Sequence, residues 1–119
     1  MIGRVRDRRT FVALRTHGIR VRRGPLGLTF LEEADAEGTR VAFAITKKVG
    51  GAVERNRLRR RLRAVLAGLA SHPDGRVPPG VLLVSAGPEV SERSPEELRN
   101  DVKRLLAALE ARRSGGSAA

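Results

Sequence analysis

The 119-residue chain contains no cysteine, tryptophan or tyrosine, and its only aromatic residues are three phenylalanines. Without cysteine, disulfide scaffolds, cysteine-ligated zinc sites and thiol catalysis are excluded. With so few aromatics, a platform that stacks several bases in a row is poorly supported. No apolar run approaches the roughly 18–20 residues that a membrane-spanning helix needs, and no apolar signal core follows the basic N-terminus. We expect a soluble, cytoplasmic, single-domain protein.

Acidic residues are also scarce, with 13 Asp and Glu against 24 Lys and Arg, which gives a net charge of +11. The whole surplus lies in residues 1–63, which hold 17 basic and 6 acidic side chains. The densest stretch, residues 47–63, has eight basic residues and one acid. Binding to a phosphate backbone requires such a concentration, whereas a solvated helix face usually interleaves both signs. The pattern indicates a nucleic-acid partner, with an anionic membrane or another acidic partner as the alternative.

Groups that could perform chemistry are few. The two histidines, His17 and His72, adjoin turn residues and are expected to be ordinary surface residues. The acidic residues cluster in residues 32–37 and in the last helix, where they look like solubilising charge. Gly50 and Gly51 precede a helix, but no Walker Lys-Ser/Thr pair follows, so a nucleotide site is not expected. The sequence therefore predicts no catalytic residue and no metal ligand in the protein.

The order of predicted elements is helix, three strands, helix, strand, helix, which indicates a single α+β domain over residues 1–113 with one small sheet. Apolar periodicity and capping signals predict helices over residues 8–17, 52–70 and from 95 onward. Alternation predicts extended structure over residues 19–33, in two pieces at 19–22 and at Leu26, Leu28 and Phe30. A second long strand is predicted through Val41, Phe43 and Ile45, and a short buried strand at residues 81–84. Short links, including a polar hairpin loop at 32–38, favour an antiparallel meander for the first three strands. Residues 71–75 are predicted to form a loop and residues 114–119 a flexible tail.

The second helix has two different faces. An apolar stripe at the helical period is expected to pack on the sheet, and it comprises Leu58, Leu62, Val65, Leu66 and Leu69. Asn56, Arg60 and Arg63 fall on the opposite side of the helical wheel. The helix is therefore predicted to pack on one side and to present a basic surface on the other.

Residues 46–63 read Thr-Lys-Lys-Val-Gly-Gly-Ala-Val-Glu-Arg-Asn-Arg-Leu-Arg-Arg-Arg-Leu-Arg. This segment resembles the signature of the bacterial ribonuclease P protein subunit, which carries a lysine pair, a Gly-x-Ala-Val step and an Arg-Asn-Arg helix. Residues 11–18 are similar to the family's Phe-x-x-aliphatic-x-x-x-Gly helix end. Since the strand order and the last helix also agree, the resemblance spans most of the chain.

The resemblance implies a fold like the second domain of ribosomal protein S5, with one mixed sheet and a left-handed crossover between parallel strands. It implies a subunit of the endonuclease that removes the 5′ leader of precursor tRNA. The RNA subunit, with Mg²⁺ bound mainly by the RNA, would perform the chemistry without an organic cofactor. The implied partners are ribonuclease P RNA and precursor tRNA, with no membrane and no obligate protein partner.

Two sets of residues follow from the resemblance. The residues expected to contact RNA are Lys47, Lys48, Arg55, Asn56, Arg57, Arg59, Arg60 and Arg63. The residues expected in a leader cleft between the first helix and the sheet are Phe11, Arg15 and Thr29. The family often has aromatics where this chain has Arg15 and Thr29, so an altered base preference is expected. Two alternatives stay open: Asn56 caps or solvates the first helical turn, and Phe11 is an ordinary core residue.

Two other functions also remain open for the whole chain. One is a structural RNA-binding protein of ribosomal type with no part in catalysis. The other is a basic module on an anionic membrane, which the lack of bulky interfacial aromatics in the helix at 52–70 disfavours.

Overall fold

The computed structural model describes residues 2–5, 7–33, 38–71 and 77–116. In these ranges the strands are β1 (Ile2–Arg4), β2 (Ile19–Arg23), β3 (Leu26–Leu31), β4 (Thr39–Ile45) and β5 (Gly80–Ala86). The helices are α1 (Arg8–His17), α2 (Ala52–Ser71) and α3 (Pro95–Gly116). Short 3-10 turns at Lys47–Val49 and Pro88–Glu92 lead towards α2 and α3. The predicted α+β class and the three helices are confirmed.

Helix α1 has a defined beginning and end. The Asp7 carboxylate accepts hydrogen bonds from the backbone N–H of Thr10 at 3.2 Å and from its hydroxyl at 2.7 Å, which caps one free backbone N–H of the first turn. Gly18 ends the helix, as predicted, but its backbone is extended rather than left-handed. A Cβ at this position would overlap the Leu14 carbonyl oxygen and would lie 2.5 Å from Thr29 Cγ2. Glycine is therefore needed for the close approach of α1 to the sheet.

The predicted capping box at the start of α3 is present. The Ser94 N–H donates to Glu97 Oε1 at 2.9 Å, and the Glu97 N–H donates to Ser94 Oγ at 3.1 Å. The bond that the Ser94 N–H donates is the main cause that holds the pKa of the Glu97 carboxyl below its usual range. The helix continues through Gly116, so the first three residues of the predicted tail are helical, and residues 117–119 lie outside the described residues.

The sheet is mixed, as the family resemblance implies, but the predicted antiparallel meander is wrong. The strand order is β1-β4-β5-β3-β2. Strand β3 pairs antiparallel with β2 and β5, whereas β4 pairs parallel with β5. Strand β5 is almost continuously apolar, and Val81 and Leu82 are fully buried. Because a strand buried on both faces belongs in the centre of a sheet, β5 separates β3 from β4.

Residues 32–38 therefore do not form a hairpin loop, because the strands that they connect are not neighbours. Residues 34–37 of this predicted loop and residues 72–76, which include His72 and most of the other predicted loop, lie outside the described residues. Helix α2 connects the parallel strands β4 and β5, which is the crossover that the resemblance implies. Its left-handedness and the likeness to ribosomal protein S5 stay predictions.

Strand β1 was not predicted from the sequence. Its three residues pair parallel with β4, with Ile2 opposite Thr39 and Arg4 opposite Val41. The Val5 N–H then donates to the Val41 carbonyl at 3.4 Å. A three-residue run with one glycine and one arginine has no strand periodicity of its own, so only the long-range pairing defines it. The pairing places Arg4 at the end of a short edge strand.

The two faces of the sheet are covered by different helices. Leu28 and Phe30 of β3 point into one apolar core, which they share with α2 and α3. Thr29 lies between them and points the other way, under the end of α1 at Gly18. The predicted stripe of α2 is confirmed, with Leu58, Leu62 and Leu66 buried and Val65 and Leu69 packed against the core. Of the helices that the structure describes, none is long and apolar enough to span a membrane.

Candidate nucleic-acid interface

A cleft opens at the sheet edge, where β1 ends. Strand β1 covers β4 only as far as Val41, so in the described part of the chain residues 42–45 have no strand beside them on that side. Helix α1 contributes Phe11 to this cleft, and α2 contributes polar side chains. The cleft volume is about 540 Å³. Its lining comprises Arg4, Val5, Phe11, Val41, Ala42, Phe43, Asn56, Arg59, Arg60 and Arg63.

The helical period divides the basic residues of α2 into two flanks on either side of its solvent-facing surface. We call the side that lines the cleft the cleft flank, and it carries Asn56, Arg59, Arg60 and Arg63. The far flank carries Arg57 and Arg61 and faces the 3-10 turn at Pro88–Glu92. Glu54, the one acid of residues 47–63, lies on the far flank too. The cleft flank is therefore purely basic and polar.

Arg55 differs from the other arginines of its motif. Its side chain is half-buried, and it lies about one helical turn before Leu58, next to the apolar stripe of α2. Its Nε atom is buried and makes no hydrogen bond within the described structure. Because burial leaves fewer of its donors free, Arg55 presents less of its guanidinium to a ligand than Arg57 and Arg60, which are exposed.

Asn56 is exposed on the cleft flank, and its Oδ1 accepts a hydrogen bond from Arg59 Nη1 at 2.7 Å. The bond holds the Arg59 guanidinium beside the helix, and it leaves the amide NH₂ of Asn56 as a donor. The structure thus places Asn56 among the arginines, as the helical wheel predicts. Its contact with RNA stays a prediction.

Arg63 stacks on a second aromatic residue of the cleft. Its Cζ lies 5.4 Å from the centroid of the Phe43 ring, a cation–π distance. Burial, and secondly the positive charge of Arg4, lower the pKa of Arg63 from its ordinary value. The direction of this shift means that the charged form of Arg63 is less favourable here than in water. A negative charge in the cleft would reverse that effect.

Phe11 is half-buried and does not belong to the apolar core cluster or to the side chains packed against it. Its ring lines the cleft opposite the cleft flank of α2. Arg15, one helical turn further along α1, is exposed, but Thr29 is only 7% exposed and lies beneath Gly18. The cleft that Phe11 lines is thus bounded by α2 and β4, and Thr29 is not part of it. Their roles in leader binding stay predictions.

The two predicted lysines lie outside the cleft. Lys47 and Lys48 are exposed on the 3-10 turn that links β4 to α2, so they extend the basic surface towards the start of that helix.

Sequence reasoning missed three residues of this surface, Arg4, Phe43 and Arg61. Phe43 was predicted only as a strand residue, and its position beside Arg63 depends on how α2 crosses the sheet. The sequence did contain a signal for Arg61, because it follows Arg57 by one helical turn and so lies on the same side of α2. The sequence contained no signal for Arg4, because the three residues of β1 show no strand periodicity.

In the described ranges no three His, Cys, Asp or Glu side chains come together to hold a metal ion. His17 is exposed at the end of α1, as expected of a surface residue. The arrangement as a whole can bind a polyanion and can stack an unpaired base.

A small α+β domain with a mixed sheet and an arginine-rich cleft defines a nucleic-acid-binding class of protein. The family model described as Ribonuclease P matches residues 3–110. The chain therefore belongs to the ribonuclease P protein family, as the resemblance of residues 46–63 implies, and it is a protein subunit of that endoribonuclease.

Individual relatives agree with this assignment. A "Ribonuclease P protein component" from Brucella melitensis biotype 1 is 36% identical over 123 residues, covering 95% of this chain and 84% of the relative. One from Beutenbergia cavernae is 45% identical over 74 residues, covering 61% of this chain and 59% of the relative.

Solved structures show the same fold. The RNase P protein of Staphylococcus aureus superposes with a TM-score of 0.79 and 18% identity, over 89% of this chain and 94% of that one. The RNase P protein of Thermotoga maritima gives a TM-score of 0.73 and 23% identity, over 87% of this chain and 94% of that one.

Proposed function

We propose that the exposed basic surface of α2 binds ribonuclease P RNA and that the adjoining cleft holds the 5′ leader of precursor tRNA. One observation carries this proposal: Phe11 and Phe43 lie in a single cleft with four arginines and no carboxylate among its described lining residues. Arginine pairs with phosphate through its planar fork. Aromatic rings stack the bases of single-stranded RNA. The cleft can therefore bind both the phosphates and the bases of an unpaired RNA strand.

The proposal assigns the chemistry to the RNA subunit. Hydrolysis of the phosphodiester bond would use Mg²⁺ held mainly by RNA oxygens, because the described protein residues offer no cluster of ligands for it. The protein supplies no catalytic residue and needs no organic cofactor. Its work is to bind RNA in the cytoplasm, without a membrane and without an obligate protein partner.

The direct test adds the protein to the ribonuclease P RNA of its host at low Mg²⁺, with precursor tRNA as substrate. Arginines of the protein offset phosphate repulsion that Mg²⁺ otherwise screens. We therefore expect faster leader removal with the protein than with the RNA alone, and a smaller difference at high Mg²⁺. Leader removal that the protein does not improve at any Mg²⁺ concentration would contradict the proposed function. Association with ribosomal subunits instead would favour a structural role in the ribosome.

Replacing Phe11 by alanine tests the leader cleft. Loss of one base stack should weaken holoenzyme binding to leader-bearing precursor roughly tenfold, since such a stack contributes about 1–3 kcal/mol. Binding to mature tRNA, which has no leader, should not change. The measurement is the dissociation constant of both RNAs. Val12→Ala is the matched control on the same helix, because Val12 is 51% exposed and does not line the cleft. Equal weakening of both RNAs by Phe11→Ala would show that Phe11 acts through packing.

A further inference from the structure

Strand β2 forms the edge of the sheet that lies farthest from the cleft. It is separated from β1 by four strand spacings of about 4.8 Å, or about 19 Å in all. Its sequence is Ile-Arg-Val-Arg-Arg, and the side chains of Arg20, Arg22 and Arg23 are all exposed. The fold therefore has a second basic edge, on the opposite side of the sheet from the cleft.

Arginine side chains cover the free backbone of this edge. In an antiparallel pair, alternate residues turn their N–H and C=O groups away from the neighbouring strand. On β2, Arg23 Nη1 donates to the Arg22 carbonyl at 2.6 Å, and Arg112 Nη1 of α3 donates to the Arg20 carbonyl at 3.0 Å. These bonds occupy acceptors that an added strand would need. A peptide that joins the sheet as a further strand is therefore a poor fit to this edge.

The same bonds hold two guanidinium groups in place with donors to spare. A guanidinium has five N–H donors, and each of these bonds uses one. Arg23 and Arg112 both line a groove of about 320 Å³ between β2 and α3, whose other lining residues are Val21, Ala108 and Ala111. Because the two side chains are already positioned, they lose less freedom when they bind an anion.

These arginines have no acidic partners in the part of the chain that the structure describes. We call them the β2 surface, which comprises Arg20, Arg22, Arg23 and Arg112. None of the four forms an ion pair within the described ranges. The next residue of α3, Arg113, differs, because it lies 3.6 Å from Glu32 and stacks on the Phe30 ring at 5.0 Å. A partner of the β2 surface would therefore have to bring its own negative charge.

The positions of the aromatic residues indicate which form of RNA fits this surface. Of the three phenylalanines, Phe11 and Phe43 line the cleft and Phe30 is buried in the core. The β2 surface thus has no ring on which an unpaired base could stack. Double-helical RNA needs none, because proteins contact it through phosphates and 2′-hydroxyls. Arg20 and Arg22 lie on one face of the strand, about 6.6 Å apart along it, so they can reach different phosphates.

We propose that the β2 surface binds a double-helical segment of ribonuclease P RNA, so that the protein joins two parts of that RNA from opposite edges of its sheet. The inference rests on the proposed function, which places the first contact with this RNA on α2. The body of precursor tRNA is a poorer occupant. A contact with the mature part of tRNA would bind substrate and product equally, which does not accelerate the reaction.

The first experiment replaces Arg20 and Arg22 together by glutamine. Their side chains make no hydrogen bond or ion pair within the described structure, so the fold should be retained. Affinity for ribonuclease P RNA should fall about a hundredfold, roughly tenfold for each charged hydrogen bond. The salt dependence should fall by about 1.8, the value for two duplex phosphates. The matched control replaces the exposed Arg99 and Arg104 of α3 by glutamine and should keep its affinity.

A second experiment locates the RNA beside each edge. Because the chain has no cysteine, one introduced cysteine carries the only label. An iron chelate on Ala111→Cys, beside the groove, should cut both strands of one paired segment of ribonuclease P RNA. The cuts should weaken when Arg20 and Arg22 are replaced. The same chelate on Ala64→Cys, exposed on α2, should cut a different segment. Cuts at the same nucleotides from both positions, or only in unpaired RNA, would overturn the proposal.

Other outcomes distinguish this inference from the function on which it rests. If the Arg20 and Arg22 variant binds precursor and mature tRNA equally weakly and ribonuclease P RNA normally, the surface contacts tRNA. The inference is then wrong while the proposed function stands, and it is equally wrong if no RNA affinity changes. If the wild-type protein does not improve leader removal at low Mg²⁺, the proposed function fails, and this inference fails with it. Equal circular dichroism spectra and thermal midpoints serve as the folding control.

Discussion

Replacing Arg57, Arg59 and Arg60 together by alanine is expected to weaken binding to ribonuclease P RNA by roughly a thousandfold. Each charged hydrogen bond to phosphate contributes at least about 1.5 kcal/mol, or roughly tenfold in affinity. The salt dependence of binding should fall by roughly two to three units, since each lost phosphate contact removes about 0.7–0.9. The fold should be retained, because none of the three belongs to the apolar core. Filter binding over a range of salt concentrations measures both quantities.

A matched control separates a directed surface from net charge. Arg99, Lys103 and Arg104 are exposed on α3, in the electroneutral half of the chain. Replacing these three by alanine removes three positive charges from +11, giving +8 as in the first variant. We expect this control to retain its RNA affinity within a few-fold. Similar losses in both triple variants would contradict the assignment of the interface to α2.

The three helices were predictable because their signals are local. The capping box at Ser94 and Glu97 satisfies backbone groups within one turn, and no distant residue is needed for it. The stripe through Leu58, Leu62 and Leu66 shows which side of α2 is buried, whatever that side packs against. The same periodicity predicts that Asn56 and Arg60 lie together on the exposed side. Local periodicity was thus sufficient for the basic surface of α2.

The sheet was predictable only in part, because pairing joins residues that are distant in sequence. The hairpin of β2 and β3 follows from its short link. The insertion of β5 between β3 and β4 was not predictable in the same way. The apolar run that includes Val81 and Leu82 predicts a buried strand, but it does not indicate which strands lie on either side of it. The three residues of β1 have no pattern of their own and are defined by their partner β4.

The same distinction explains what the sequence revealed of the cleft. Phe11 and the arginines of α2 came from a resemblance that covers local motifs. Arg4 enters through the pairing of β1 with β4, and Phe43 meets Arg63 only when α2 crosses the sheet. Thr29 was placed in a leader cleft by the resemblance alone; the structure puts it beneath Gly18, and its role in leader binding stays a prediction. Residues on one helix are thus predicted together, whereas the walls of a cleft require the tertiary structure.

Replacing Gly80 by alanine is expected to destabilise the domain by about 3 kcal/mol or more. Gly80 begins the central strand β5 with φ of +139°, a conformation that residues with a Cβ rarely adopt. A Cβ there would lie 2.6 Å from the Leu31 carbonyl oxygen and 2.8 Å from the Phe30 ring. Backbone strain costs about 1–3 kcal/mol, and overpacking against a buried ring costs a similar amount. The measurement is the free energy of unfolding in urea.

Gly68→Ala provides the matched control for this prediction. Gly68 is exposed on α2, and a Cβ there meets no atom within 4 Å. Alanine is the better helix former by about 1 kcal/mol, so this variant should be as stable as wild type or more stable. If Gly80→Ala lowers the free energy of unfolding and Gly68→Ala does not, the position of the added methyl group decides its effect on stability. Equal stability of Gly80→Ala and wild type would contradict the prediction and would mean that β5 begins with a different backbone conformation beside Leu31 and Phe30.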